Sequence, residues 1–201
     1  MITRKKIFFD IEGTLNDFKS ADSYIINEIF KGHAHVLLFD KLLWKINDLD
    51  ILSNTMILFK IRILVYSVLS FTSFSKNLRK YQDIYQASTI KDLEKSYVYL
   101  EELRKLGYEI SLLTHNQFTA EFEGIDIKIL KNKQKYISDV KSQIAYMIGN
   151  NYMEDLRKSI KYGIKTIYIG NSKVVKALVS KKALAFSNLE DAVEYIMKEN
   201  G

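Results

Sequence analysis

The sequence predicts an α/β protein, a parallel sheet between helical layers, with a long helical insertion after its first strand. Three observations carry this reading. The apolar run Ile7-Phe8-Phe9 ends in Asp10, then Glu12 and Gly13, the pattern of a buried parallel strand presenting acids at its C-terminal end. From residue 89 onward, apolar runs of strand length alternate with stretches of helical period, as they do when a parallel sheet is wound with short connections. Between these two regions, from His33 to Leu106, there is neither Gly nor Pro, and so long a stretch without breakers reads as helix.

In chain order, the first strand closes on Gly13, where a sharp turn is needed. Ser20-Ala21-Asp22-Ser23 then offers a helix start and Gly32 an end, framing a helix through Tyr24 and Phe30. Met56 to Phe74 is the most apolar part of the chain, but Lys60 and Arg62 interrupt it. A membrane-spanning helix needs about 20 apolar residues with few or no charges, so no membrane partner is expected. Phe59-Lys60-Ile61-Arg62-Ile63 alternates as a strand would, which leaves helix and strand both open there. The expected use of this stretch is as the core of the insertion, or as an apolar surface shared with the core domain or with a second subunit in a homodimer.

Thr89-Ile90-Lys91-Asp92 is similar to a helix-start box, with Leu93, Tyr97, Leu100 and Leu103 on one face and Gly107 closing the helix. Strands are expected at Glu109–Thr114, 125–130, 144–148 and 164–169, with a sixth at 183–186. Helices are expected around Gln134–Ser142, through Met153, Leu156 and Ile160, and after the capping box Ser187-Asn188-Leu189-Glu190.

Composition narrows the class. The 201 residues are 47% hydrophobic, which suits one globular core with a small insert. The absence of cysteine excludes disulfides and Cys-based zinc sites. Met1-Ile2-Thr3-Arg4-Lys5-Lys6 runs straight into the strand, unlike a signal peptide, so a cytoplasmic protein is expected. The formal charge of +6 is scattered, with small clusters at Arg4-Lys5-Lys6 and Lys181-Lys182. Neither is interleaved with aromatics as a single-strand groove would be. Both are read as solvated surface, and no nucleic-acid partner is expected, although a basic surface can steer phosphorylated substrates.

The chemistry should sit at strand ends. Asp10 and Glu12, two residues apart, can supply a nucleophile or metal ligand and a general acid/base. Thr114 ends a strand with a hydroxyl, and Gly149-Asn150 ends another. Asp10-Ile11-Glu12-Gly13-Thr14-Leu15 resembles the first motif of the haloacid dehalogenase (HAD) superfamily, whose usual form is Asp-x-Asp-Gly-Thr-Leu/Val. Glu12 replaces the second aspartate, as it does in the enolase-phosphatases of that superfamily. Leu112-Leu113-Thr114-His115-Asn116 resembles the second motif. The third is a lysine near the start of the helix before the fourth motif. Lys131, Lys133 and Lys135 compete for it, and Lys133 is preferred because Asn132-Lys133 directly before a helical run is similar to small family members. Met147-Ile148-Gly149-Asn150, followed by Glu154-Asp155, resembles the fourth motif with Asn150 in place of its first acid.

The resemblance covers about residues 1–15 and 89–201, in the right motif order, and places 16–88 as a mostly helical cap. It implies a three-layer Rossmann-like core and a Mg²⁺-dependent phosphomonoester hydrolase acting on a small phosphorylated metabolite through an aspartyl-phosphate. Under it, Asp10 is the nucleophile and Glu12 the general acid/base. Gly13, Thr114, His115 and Lys133 bind the phosphoryl group, and Lys133 also neutralises charge. The implied metal ligands are Asp10, the backbone carbonyl of Glu12, Asn150 and Asp155. A dehalogenase is disfavoured, because those relatives lack the second acid. The rivals are a phosphotransferase or mutase on the same scaffold, and a non-catalytic binding or regulatory protein. Nothing in 16–88 names the substrate.

Overall fold

The computed structural model describes residues 5–47, 56–115, 121–179 and 181–200. Asn116 of the second motif and Arg4 of the basic cluster lie outside them. Among the described residues, β1 (Lys6–Asp10), β2 (Glu109–Thr114), β3 (Ile125–Ile129), β4 (Ile144–Gly149), β5 (Lys165–Ile169) and β6 (Leu184–Phe186) form one parallel sheet in the order β3-β2-β1-β4-β5-β6. The winding direction changes between β1 and β4, and ligands of open α/β sheets bind at the carboxyl ends of strands beside such a switch.

Among the described residues, four helices lie between β1 and β2: α1 (Phe18–Ile29), α2 (Ala34–Asn47), α3 (Met56–Leu69) and α4 (Phe74–Lys105). The later ones are α5 (Lys133–Val140), α6 (Arg157–Lys161), α7 (Lys173–Val179) and α8 (Leu189–Asn200). β1 is buried on both faces. Ile7 and Phe9 pack with Leu93, Leu100 and Leu103 of α4 and with Ala192, Val193 and Ile196 of α8. Phe8 points the other way, into a cluster with Ile137 of α5 and Met147 of β4. This double burial is why the strand reads as a continuous apolar run rather than an alternating one.

The insertion has an apolar core of its own, in which Ile25, Ile26 and Phe30 of α1 meet Val36 of α2, Ile63 and Tyr66 of α3, and Tyr81 and Tyr85 of α4. The alternating stretch around Lys60 is helical, within α3. Its Arg62 faces inward and donates to both oxygens of Asp22 in α1, at 2.6 and 2.5 Å. The Nε of Arg62 lies 3.5 Å from Asp40 in α2. Tyr66 donates to Asp40 at 2.7 Å and Tyr81 to Asp22 at 2.6 Å, so one guanidinium and two carboxylates tie four helices together. Burial pushes the Asp40 carboxyl up, against the pull of Arg62. Removing one partner of a buried ion pair costs about 3–5 kcal/mol. Arg62→Met is therefore expected to lower the unfolding free energy by about that much in urea titrations, and a change well under 1 kcal/mol would mean the network contributes little.

The structure corrects several boundaries. α1 starts at Phe18, not within Ser20–Ser23, because Asp17 caps it by accepting from the Ser20 amide at 3.1 Å. α4 passes unbroken through Thr89–Asp92, so the expected 88/89 boundary falls inside a helix. Buried Tyr81, Tyr85, Thr89, Leu93, Ser96 and Leu100 continue one face across that point, and the Thr89 hydroxyl accepts from Asn16 instead of capping. At α8 the cap is Asn188 rather than Ser187, its Oδ1 accepting from the Asp191 amide at 2.9 Å. α7 has no counterpart among the expected elements. Ile61, Leu64, Val65, Val68 and Leu69 of α3 remain exposed, and Phe71 beyond it is 97% exposed. Among the described residues, no helix is long and apolar enough to cross a membrane.

Candidate active site

The loop after β1 is wound tightly enough to aim its side chains. The carbonyl of Ile11 accepts from the amides of Thr14, Leu15 and Asn16 at 3.2, 3.0 and 3.3 Å, while the Gly13 amide donates to Asn16 Oδ1 at 2.8 Å. Gly13 has φ +79°, in the left-handed region, and a Cβ there would collide with the Asn150 amide. Glycine therefore serves both the turn and the approach of the β4 loop. Gly149 plays a similar part at the end of β4, where a Cβ would fall 2.7 Å from Cβ of Asp155.

Asp155 arrives on a π-helical turn, Tyr152–Leu156, that runs into α6. Asn151 opens it by accepting from the amides of Met153 and Glu154 at 3.0 and 3.2 Å. Such wide turns recur at functional sites, because they shift side-chain register by one residue. Lys133 is the first residue of α5, which Asn132 caps by accepting from the Lys135 amide at 2.8 Å. Lys131 and Lys135 are exposed, whereas Lys133 is buried, which separates the three competing lysines.

These elements converge at the switch point. The Lys133 ammonium donates to Asp10 Oδ1, and lies 3.5 Å from Asp155 Oδ1 and 4.0 Å from Glu12 Oε2. Thr14 donates to Asp10 Oδ2 at 3.4 Å, and Thr114 to Glu12 Oε1 at 2.5 Å. Burial, and then repulsion from Asp155, push the Asp10 carboxyl well above the usual range against the pull of Lys133. Burial likewise raises Asp155. Desolvation works against the charge on Lys133, but Asp10, Asp155 and Glu12 outweigh it and hold the ammonium above its ordinary range.

A carboxyl at a strand end, a second acid and a buried cation within a few ångströms suit transfer of an anionic group. Among the described residues, Asp155 Oδ1 is buried without a hydrogen-bond partner. Asp10 and Asp155 offer hard carboxylate oxygens of the kind Mg²⁺ takes, and the Asn150 amide lies against Gly13. An added cation would also favour the ionised form of two carboxyls that burial disfavours. The donor chemistry, two carboxylates and an amide rather than three acids, is of the type a divalent cation takes. Among the described residues, no group of three or more His, Cys, Asp or Glu is placed to hold a metal ion.

His115 is committed elsewhere. Its Nδ1 lies 2.6 Å from the Leu130 carbonyl and its Nε2 2.8 Å from Glu154 Oε2. The Glu154 contact raises the imidazole above its ordinary range and lowers Glu154. With an acceptor at each nitrogen, the ring ties the end of β2 to the π-helical turn and is not aimed at the acids. The sequence places neither Tyr85 nor Asn16 at the site, and offers Thr89 only as part of a helix start. Tyr85 donates to Glu12 Oε1 at 3.4 Å, and Asn16 reaches both Tyr85 and Thr89, at 3.3 and 3.0 Å. No spacing signal could have found Tyr85, which lies 73 residues from Glu12 on a helix face that also reads as core.

Sheet order, insertion point and strand-end acids together define the haloacid dehalogenase-like fold, and this chain has it. Among solved structures it is similar to a HAD-hydrolase, so described, YfnB from Bacillus subtilis, which was crystallised bound to magnesium. The TM-score is 0.57 at 14% identity, over 96% of this chain and 98% of that one. Two others overlap more loosely. One is a haloacid dehalogenase-like family hydrolase from Xanthomonas campestris, with TM-score 0.48, 14% identity and coverage of 98% and 92%. The other is a HAD phosphatase from Thermococcus onnurineus, with TM-score 0.42, 13% identity and coverage of 84% and 87%. No family model and no curated protein matches the sequence.

Proposed function

We propose that the protein is a Mg²⁺-dependent phosphomonoester hydrolase acting on small phosphorylated metabolites, with the helical insertion as the cap over its site. The observation that carries this reading is the buried Lys133 ammonium set among Asp10, Glu12 and Asp155 at the switch point. A carboxylate oxygen of Asp10 attacks phosphorus, and the bond to the leaving oxygen breaks as Glu12 delivers its proton to that oxygen. Glu12, now a carboxylate, takes a proton from water. The water oxygen attacks the phosphoryl group, the bond to Asp10 breaks, and inorganic phosphate departs. Lys133 offsets negative charge on Asp10 and on the phosphoryl oxygens throughout. Thr114 orients Glu12, and Gly13 leaves room for the closely packed loops. A bound Mg²⁺, held by Asp10, Asp155, the Asn150 amide and the Glu12 carbonyl, would withdraw charge from the phosphoryl oxygens.

Turnover of an aryl phosphate by the purified protein, with and without Mg²⁺, tests the reading. Magnesium-dependent release of phosphate is expected, and its absence across a panel of phosphorylated metabolites would contradict it. Asn150 adds a specific expectation, since Mg²⁺ affinity depends on carboxylate count and octahedral fit. Asn150→Asp should lower the Mg²⁺ concentration giving half-maximal turnover, while Asp155→Asn should raise it. Activity need not rise with affinity, because an extra negative charge also repels a phosphate dianion. An unmoved midpoint in Asn150→Asp, beside a strong shift in Asp155→Asn, would remove Asn150 from the ligand set.

A further inference from the structure

We propose that Tyr85, contributed by the helical insertion, is the positioning residue for the Glu12 carboxylate, an inference that rests on the phosphatase reading above. Glutamate has one more rotatable bond than aspartate, so an acid/base built on Glu12 needs more restraint to stay within reach of a leaving oxygen. Two hydroxyls converge on Oε1: Thr114 from the sheet at 2.5 Å and Tyr85 from α4 at 3.4 Å. The longer contact is of the kind that tightens when substrate binds.

Tyr85 is itself held from several sides. Its ring stacks on Tyr81 with centroids 6.0 Å apart and an interplanar angle of 18°, and stands edge-on to Phe18 at 5.9 Å. A phenol has one proton to give. With that proton directed to Glu12, its oxygen accepts from Asn16 Nδ2 at 3.3 Å. Asn16 is fixed in turn by the Gly13 amide and by Thr89 Oγ1. Tyr81, one helical turn away, donates to Asp22, which is paired with Arg62. A continuous set of contacts thus runs from the buried ion pair of the insertion to the acid at the end of β1.

The test is Tyr85→Phe, which keeps the ring and removes the hydroxyl. Turnover should fall roughly tenfold in kcat, the size expected for one hydrogen bond to a charged group, with KM close to wild type. In a Glu12→Gln background the same substitution should change kcat little, because the two groups act as a unit. Thr89→Val, which loosens Asn16 beneath the phenol, should give a smaller loss of the same kind. It decides the question should Tyr85→Phe fold poorly. A purely structural tyrosine would instead lower Tm while leaving kcat intact well below Tm, or would subtract equally in both backgrounds. Either result overturns the proposal. An inactive wild-type protein overturns the phosphatase reading and this inference together, whereas an active wild type with unaffected variants overturns this one alone.

Discussion

Asp10→Asn is expected to remove phosphatase activity by several orders of magnitude, since an amide oxygen cannot carry out the attack on phosphorus. The loss should not come from misfolding. Asp10 is 2% exposed and its carboxyl is pushed up by burial and by Asp155, so the isosteric neutral amide removes a crowded buried charge. Lys133 keeps Asp155 as a partner at 3.5 Å. The variant should therefore remain folded, with a cooperative thermal transition, while turning over almost nothing. Steady-state kinetics and a thermal scan on one preparation check both halves. Wild-type turnover in this variant would exclude the covalent mechanism.

Glu12→Gln is expected to slow turnover roughly 10²–10⁴-fold, the usual range for losing a general acid/base. Glutamine still accepts from Thr114 and Tyr85, so the geometry around Oε1 survives while proton transfer does not. Both chemical steps should suffer. With activated aryl phosphates, whose leaving oxygen needs little protonation, the second step should suffer more, so the phosphoenzyme accumulates. Normal rates for both steps would mean that another group moves the proton. His115 is poorly placed for it, with both ring nitrogens engaged by Leu130 and Glu154.

The contrast between what could be read from the chain and what could not has a physical pattern. Strand ends were legible because a strand buried on both faces leaves an unbroken apolar run, and an acid or hydroxyl closing it stands out, as at Asp10, Thr114 and Gly149-Asn150. Lys133 was legible only as one of three lysines. What distinguishes it is Asn132, which caps α5 and makes Lys133 the first helical residue, turned inward. Tyr85 was not legible at all, since Tyr81, Tyr85 and Thr89 continue a row that packing alone would explain. Thr89-Ile90-Lys91-Asp92 has the composition of a helix start, yet Thr89 lies mid-helix with its hydroxyl turned to Asn16, a partner 73 residues away. Local propensity loses to tertiary contact there. α7 is only 7 residues long, too short for periodicity to register.

The proposed mechanism turns on a covalent intermediate at Asp10, which can be captured. Glu12→Gln is mixed with Mg²⁺ and an aryl phosphate, quenched in acid within the first turnover, and mapped by peptide mass spectrometry. A phosphoryl group is expected on Asp10, and none in the Asp10→Asn/Glu12→Gln double variant. Released phosphate with no modified Asp10 at any quench time, or a phosphoryl group on a different residue, would contradict the mechanism.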